Sequence, residues 1–580
     1  MKTPFMRSQE RKSDKQNFSR RGFLKGGAVA GVSGAAIASG IGPAEAQSPG
    51  ITWDIEVDVV VVGGGPGGLL GALAAADEGA SVILVEQNFD VGGRAIISGG
   101  GAYLGGGTSL QKAQGIEDSP EAIIKDWTRA DHPLGRYNDR ELVGAYARQC
   151  PKTFEYMTAQ GVKWKPLGAP DRIDSVPRRA WTDEWPNPKE VVVPGQGGSG
   201  IIRPLEIAAR NRGVQFLMMH RMKAVHRESP SSGAILGITA VEVDRWFQPK
   251  FNKVNIRARK GVILATGGHS MNVNFRRMFD PRLTEEYQVH GQHWSPKEAD
   301  GEIAAMAVGA SMWGLANQTN EADGQLSKGR IGCRANYHGL EWHPDAPNFF
   351  RERATGLRVR NYQNVILVKE NGKRFYNEMV GVRDYRYFAA AMDWTGDPNK
   401  LNGGGPVWAI FDADGVEREK FRVTPPYVDT MGYFFNADTL EDLAGSIKNQ
   451  YQWRAMPGDV LRQTVERYNS FVDKGADEDF KKPKPIYKIQ KPPFYAAWST
   501  PCIHDTYAGL RINVNGQVLD TDGVAIPGLY ATGDCSGGFA QHGLGKSFVF
   551  GQLAAMHAAN GEAIPRNAPK PPTGRVPRRT

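Results

Sequence analysis

Residues 57–62 read Val-Asp-Val-Val-Val-Val, an apolar β-branched run interrupted once by Asp58. That is the pattern of a strand buried on both faces of a parallel sheet. Residues 69–76 are good helix formers, and 81–85 form a second apolar run. The stretch therefore predicts strand, helix, strand. Helices are predicted across 115–165, where Ser119 and Pro120 supply a cap and a first-turn proline. Leu142, Ala145, Tyr146, Phe154 and Met157 are spaced as the apolar face of a helix over 142–161, and read as core. A helix over 204–211 and a strand over 214–218 follow, then a β-hairpin from 234–244 and 251–258. Residues 261–264 are another buried strand, 302–308 a helix and 549–560 the last helix. Strands alternating with helices predict an α/β protein.

The turn between the first strand and helix carries the first chemistry. Gly63, Gly65 and Gly68 form G-x-G-x-x-G around Pro66 and Gly67, and Glu86 stands at the end of the second strand. Gly63 allows the tight turn, Gly65 lets a pyrophosphate approach the backbone, and Gly68 lets helix pack on strand. The helix N-terminus offers N–H groups to phosphate, and Glu86 is placed for a ribose. In a chain with 70 glycines the motif alone says little, but here strand, helix, second strand and acid come in order. Directly after Gln87, residues 88–107 hold Gly92 and Gly93 beside Arg94, and Gly99 and Gly100 after Ser98. Glycine at that density lets backbone lie against a flat ligand, which together with the first motif suggests a flavin.

These segments resemble the flavoprotein family of soluble fumarate reductases, L-aspartate oxidase, urocanate reductase and 3-ketosteroid dehydrogenases. The resemblance covers roughly residues 55–560. It rests on the two glycine segments, on Ala265-Thr266-Gly267-Gly268, and on Ala531-Thr532-Gly533-Asp534. It implies FAD as cofactor, with Gly92, Gly93, Arg94, Ser98, Gly99, Gly100, Ala265, Thr266 and Gly267 along it. Ala224 would touch the adenine and Asp534 the ribityl chain, and Gly533, Lys546, Ser547 and Phe548 would close the site. The implied fold is α/β: a Rossmann-like FAD-binding domain (GR2-type) with an inserted α+β substrate-capping domain. The expected layout is a signal peptide over 1–46, FAD-binding parts over 47–274 and 491–565, a cap over 275–490, and a basic disordered tail over 566–580. Asp300-Gly301 resembles the family's Gly-Asp-Gly helix start, with Ala299 in place of the first glycine.

Composition changes the picture only at the ends. The formal charge is +9, but residues 1–46 hold eight basic and three acidic side chains and 566–580 five basic ones, so the body carries about −1. A near-neutral body argues against nucleic acid. Ser19-Arg20-Arg21-Gly22-Phe23-Leu24-Lys25, a weakly apolar Gly/Ala run and Ala44-Glu45-Ala46 read as a twin-arginine export signal with its cleavage site. The run is too glycine-rich for a stable membrane helix. The expected address is the periplasm, with no membrane span in the mature form. Cys150, Cys333, Cys502 and Cys535 lack C-x-x-C spacing, so packed thiols are expected and neither metal, cluster nor haem.

The resemblance implies hydride exchange between flavin N5 and a carbon–carbon bond next to a carbonyl. Such a site must hold the carbon, polarise the carbonyl and move one proton. Candidates for those tasks are His542, Tyr507, His504 and Arg383, with Tyr103 and Tyr376 as further polarisers. Arg383-Asp384 sits one residue beyond the family's Arg-Asp pair, and with Arg386 close by it reads first as a structural ion pair and second as a proton donor. Gly356 stands where the dicarboxylate reductases have glutamate, and their substrate arginine is missing from 537–548. Two buried carboxylates would need charged partners, so the substrate is expected to be a ketone, a steroid-like molecule or an aromatic acid. Trp294, Trp313, Trp342, Phe349 and Phe350 are candidate cap aromatics. A fumarate- or urocanate-type reductase, fed by a separate cytochrome or quinone, stays open, as does a non-catalytic flavin electron carrier.

Overall fold

The computed structural model describes residues 50–561, apart from 133–134, 171–172, 193–194, 292–293, 315–323, 329, 334–355, 382–384, 394–404, 453 and 542. The segments read as an export signal and a basic tail lie outside these residues. The described residues form one compact unit.

The central strand is Ile55–Val62, every residue of its second half buried. It pairs in parallel with Val82–Val85 on one side and with the end of Pro249–Leu264 on the other. Gln215–Leu217 extends the sheet in parallel beyond Val82–Val85, and Ala525–Ala531 does so beyond Leu264. Gln517–Leu519 adds an antiparallel edge. The expected hairpin is a three-strand meander, His220–Ser229, Ser232–Val243 and Pro249–Leu264. Its last strand and the strand expected over 261–264 are one 16-residue strand. The polar half stands in the meander and the apolar half, Val262 to Leu264, lies in the core.

Pro66–Asp77, the helix after the glycine turn, packs on the last helix, Gly545–Asn560. Glycine makes the crossing possible. A Cβ on Gly71 would stand 2.9 Å from the Gly551 carbonyl oxygen, and one on Gly551 2.2 Å from that of Gly67. The last helix begins four residues before its expected start, which puts Lys546 and Ser547 in its first turn.

A second, antiparallel sheet is built from Ile366–Lys369, Val407–Phe411, Phe494–Trp498 and Phe434–Ala437. Its third strand in space lies beyond residue 490, the expected end of the cap. Both faces of the first three strands are covered, so these are buried along their whole length rather than alternating, whereas the edge strand Phe434–Ala437 exposes Asn436. Leu367, Ala409 and Phe411 face Tyr387 and Phe388, whereas Val368, Trp408 and Ile410 face Leu461, Val465 and Tyr468. The segment Gly-Lys-Arg-Phe-Tyr-Asn-Glu over 372–378 serves this packing: buried Arg374 donates to Glu378 and Asp477, 2.8 Å each. Trp294 and Trp313 pack with the first domain instead, and Trp342, Phe349 and Phe350 lie outside the described residues. Among the described residues no helix is long and apolar enough to cross a membrane, and all four cysteines are buried.

Candidate cofactor and active site

Register brings the motifs together. Val62 pairs with Val85 and with Leu264, and Leu264 pairs with Ala531. Four parallel strands thus end level, and Gly63, Glu86, Ala265 and Thr532 leave from one edge of the sheet. That is where open α/β sheets bind ligands. One elongated cavity opens there, walled by the glycine turn, residues 86–87, 93–95, 98–101, 220–222, 265–267, 295–297 and 532–534, and the start of the last helix.

The cavity fits FAD. Gly63 has φ +101°, a left-handed conformation that favours glycine, and a Cβ there would sit 2.4 Å from the Ala265 carbonyl oxygen. Glu86 accepts from the N–H groups of Gly64 (2.6 Å) and Asn88 (2.8 Å), which pins its carboxylate at the ribose position. Burial pushes its pKa up against those two bonds. Gln87 Oε1, buried on the cavity wall, has no hydrogen-bond partner among the described residues. The turn is unforgiving. A Cβ on Gly68 would stand 1.9 Å from the Gly63 carbonyl oxygen and 2.9 Å from Ala265 Cβ. Gly68→Ala is expected to cost the site about 1–3 kcal/mol through overpacking. The flavin-to-protein absorbance ratio of the purified variant should fall by roughly tenfold or more, and full flavin content would refute the assignment.

Midway along the cavity Asp534 is held by two cations, Lys297 and Arg94. Lys297 Nζ lies against its carboxylate, and Arg94 Nη2 is 3.3 Å from Oδ2. Burial works to raise the Asp534 pKa, but Lys297, with Arg94 and Lys546, holds it below the usual carboxylate range. Arg94 also donates to the His290 carbonyl at 3.0 Å and lies 3.7 Å from Asp505.

Beyond this centre the wall is the glycine strip 98–101. Cβ atoms on Gly99 and Gly101 would meet the Trp181 ring at 2.9 and 3.0 Å. Arg179 lies over both Trp181 (4.1 Å) and Tyr103 (5.1 Å), a cation between two rings. Arg179–Ala180 pairs with Ala102–Tyr103, which sets Arg179 beside Tyr103. His504 and His290 also line the cavity. Val289 bridges to Ile503, so the next residues meet, ring centroids 4.7 Å apart. His504 Nδ1 is 2.9 Å from Asp505 Oδ1.

Of the sequence-derived site residues, Gly63, Gly65, Pro66, Gly67, Glu86, Gln87, Gly93, Arg94, Ser98, Gly99, Ala265, Thr266, Gly267, Gly533, Asp534, Ser547 and His504 line this cavity. Gly68, Gly92 and Gly100 support it from behind, packed on Gly63, Ile202 and Gly197. Ala224 does not reach it. The strand enters the cavity at His220–Met222 and has turned away past a bulge between Met222 and Ala224. Lys546 is buried, its Nζ donating to the Ser536 carbonyl at 3.0 Å, and Phe548 is core. Tyr507, just past the end of the strand Cys502–Thr506, is buried against Ala540 rather than on the wall. Tyr103 gives the cavity only a ring to carry Arg179, and Tyr376 packs at the edge of the second sheet's core. His542 and Arg383 lie outside the described residues. Arg179, Trp181, His290 and Lys297 escaped the sequence reading. The signal for Arg179 was its place two residues before a tryptophan, which no known spacing rule marks.

A level row of strand ends around a glycine turn, a ribose acid and a flat glycine wall defines a flavin-dependent oxidoreductase. The chain belongs to the FAD binding domain family, which matches residues 58–546. It is 29% identical to urocanate reductase of Eggerthella lenta over 88% of this chain and 76% of that protein. It is 27% identical to 3-oxosteroid 1-dehydrogenase of Mycobacterium tuberculosis, over 87% and 98% respectively. Among solved structures, the open conformation of a flavocytochrome c3 fumarate reductase matches with TM-score 0.62 and 25% identity, covering 87% of this chain and 78% of that one. The protein is therefore an FAD-dependent oxidoreductase acting on carbon–carbon bonds.

Proposed function

We propose that this enzyme oxidises or reduces a carbon–carbon bond next to the carbonyl of a planar ketone, a steroid-like molecule or an aromatic acid. The observation that carries the reading is the cavity end at residues 98–101, where a tryptophan plate and a single ring-held guanidinium share one wall. An aromatic plate suits a flat apolar body, and a guanidinium suits one carbonyl or carboxylate oxygen. FAD, when bound, supplies the hydride exchange at its N5. The chain's own tasks are then three. Trp181 and the glycine strip orient the substrate. Arg179 stabilises charge developing on the carbonyl oxygen. His504, its Nδ1 held by Asp505, carries the exchanged proton on Nε2. With FAD bound, oxidation of the substrate would give up a hydride to the cofactor and a proton to His504, and reduction would draw on both in reverse.

The direction of a urocanate- or fumarate-type reductase is the second reading, favoured by the guanidinium on the wall. It needs a separate electron donor such as a cytochrome or quinone. The twin-arginine segment supports work in the periplasm, to which folded, cofactor-loaded protein would be exported. The test is anaerobic flavin absorbance. Bleaching by saturated ketones or steroids is expected for the first reading. Reoxidation of the reduced flavin by aromatic propenoic acids would establish the second. Reoxidation by fumarate alone would overturn the preference for a large planar substrate.

A further inference from the structure

The G-x-G-x-x-G turn presents only backbone to a pyrophosphate: no basic residue stands between Gly63 and Gly68. A helix N-terminus offers about half a positive charge, whereas a pyrophosphate brings two negative ones. The balancing charge must come from elsewhere on the cavity wall.

Residues 295–297 cross that wall beside the turn. A Cβ on Gly93 would lie 3.3 Å from Gly65 Cα and 3.7 Å from Ser295 Oγ, and Gln87 Nε2 donates to the Pro296 carbonyl at 3.3 Å. Lys297 is 7% exposed. Its stem runs along Gly267, where a Cβ would meet three of its carbons at 3.1 to 3.4 Å. The stem is therefore fixed, and only the terminal ammonium is free to change partners. That ammonium rests on Asp534, which keeps Arg94 as a second partner. Arg94 stays on Asp534 when the ammonium moves, so Lys297 can leave without stranding that carboxylate.

We propose that Lys297 is the pyrophosphate cation of the FAD site, parked on Asp534 and transferred to the cofactor's phosphates on loading. Burial and the Arg94 charge already press the ammonium pKa down, so a further anion beside it is favourable. Lysine suits the task better than arginine, because a compact charge on a flexible stem moves between oxygens without a fixed fork. The assignment concerns the cofactor end and does not depend on the substrate.

The test is flavin binding to the flavin-stripped full-length protein, read by fluorescence quenching with FAD and with riboflavin, which has the same ring and ribityl chain but no phosphate. Lys297→Gln should weaken FAD at least tenfold and flatten its dependence on salt. It should leave riboflavin within about twofold, a difference below about 0.5 kcal/mol. Lys297→Arg should recover part of the loss. Unchanged FAD affinity would overturn the proposal. An equal loss for both flavins would also overturn it, since Lys297 would then act only by shaping Asp534. Should the glutamine variant fail to fold, the wild-type protein decides: FAD must weaken with added salt while riboflavin does not.

Discussion

Arg178→Met is expected to destabilise the folded protein by about 3–5 kcal/mol at neutral pH, because it leaves buried charges without their partner. Arg178 is the hub of a buried charge cluster. It donates to Asp118 at 2.8 Å, to Asp126 at 2.6 Å and to Asp174 at 3.0 Å, and all four side chains are shielded from water. The cluster ties three segments together. Asp118 accepts from the Gly106 N–H at 2.7 Å, Asp126 from Ser175 at 2.6 Å, and Asp174 from Trp127 Nε1 at 2.9 Å. It therefore braces the strip that leads out of the flavin wall. The pH dependence has a definite sign. For Asp118 and Asp126, burial raises the pKa, but their hydrogen bonds, Arg178 among them, bring it below 3.8. Their stabilisation is present above about pH 4 and is lost as pH falls. Burial pushes Asp174 up to about 6, so its contribution is present below pH 4 and is lost as pH rises toward 6. Without Arg178 all three carboxyls should rise. The stability gap between variant and wild type should then widen from pH 5 to pH 8 in denaturant unfolding. A gap independent of pH would show that packing, not charge, holds this corner.

Arg179→Met, one residue on, is expected to leave the fold and flavin content intact and to lower kcat/KM by about tenfold to a hundredfold. That range corresponds to losing one charge-assisted hydrogen bond of roughly 1.5–3 kcal/mol. The side chain is half-buried and shares the cavity wall with Trp181. Its ring contacts are worth only about 0.5–1 kcal/mol at such a site, so stability should change little. Arg179→Lys should recover less than half of the loss in free energy, since lysine keeps the charge but not the plane. Steady-state rates on the substrate that bleaches the flavin measure it. An unchanged kcat/KM in a fully flavinated variant would remove Arg179 from the substrate site.

The cofactor half of the site was legible because its chemistry is local. Gly63, Gly65, Gly68 and Glu86 lie within one strand–helix–strand unit, and their spacing alone sets a phosphate turn and a ribose acid. Ala299, where the family has glycine, holds φ +66°, so a left-handed residue starts that helix as the resemblance implies. The apolar periods placed the buried strands of the first sheet, although the two uses of Pro249–Leu264 merged what reads as two elements; the strands of the second sheet were not read from the sequence.

The substrate and charge arrangements were not legible, because they join residues tens to hundreds of positions apart. Arg178 and Arg179 are adjacent and chemically identical, yet successive residues of an extended chain point to opposite sides. Only the pairing with Ala102–Tyr103 turns one into a buried hub and the other toward the cavity. Lys297 meets Asp534, and His290 meets His504, because strand register and a single β-bridge bring distant loops to one edge. By itself the sequence determined the α/β class and the glycine turn, through short-range sterics and hydrophobic period, and its resemblance to the flavoprotein family implied FAD. The tertiary structure decided which charges face the cavity, since the burial and partners of an ionisable side chain depend on the whole packed chain.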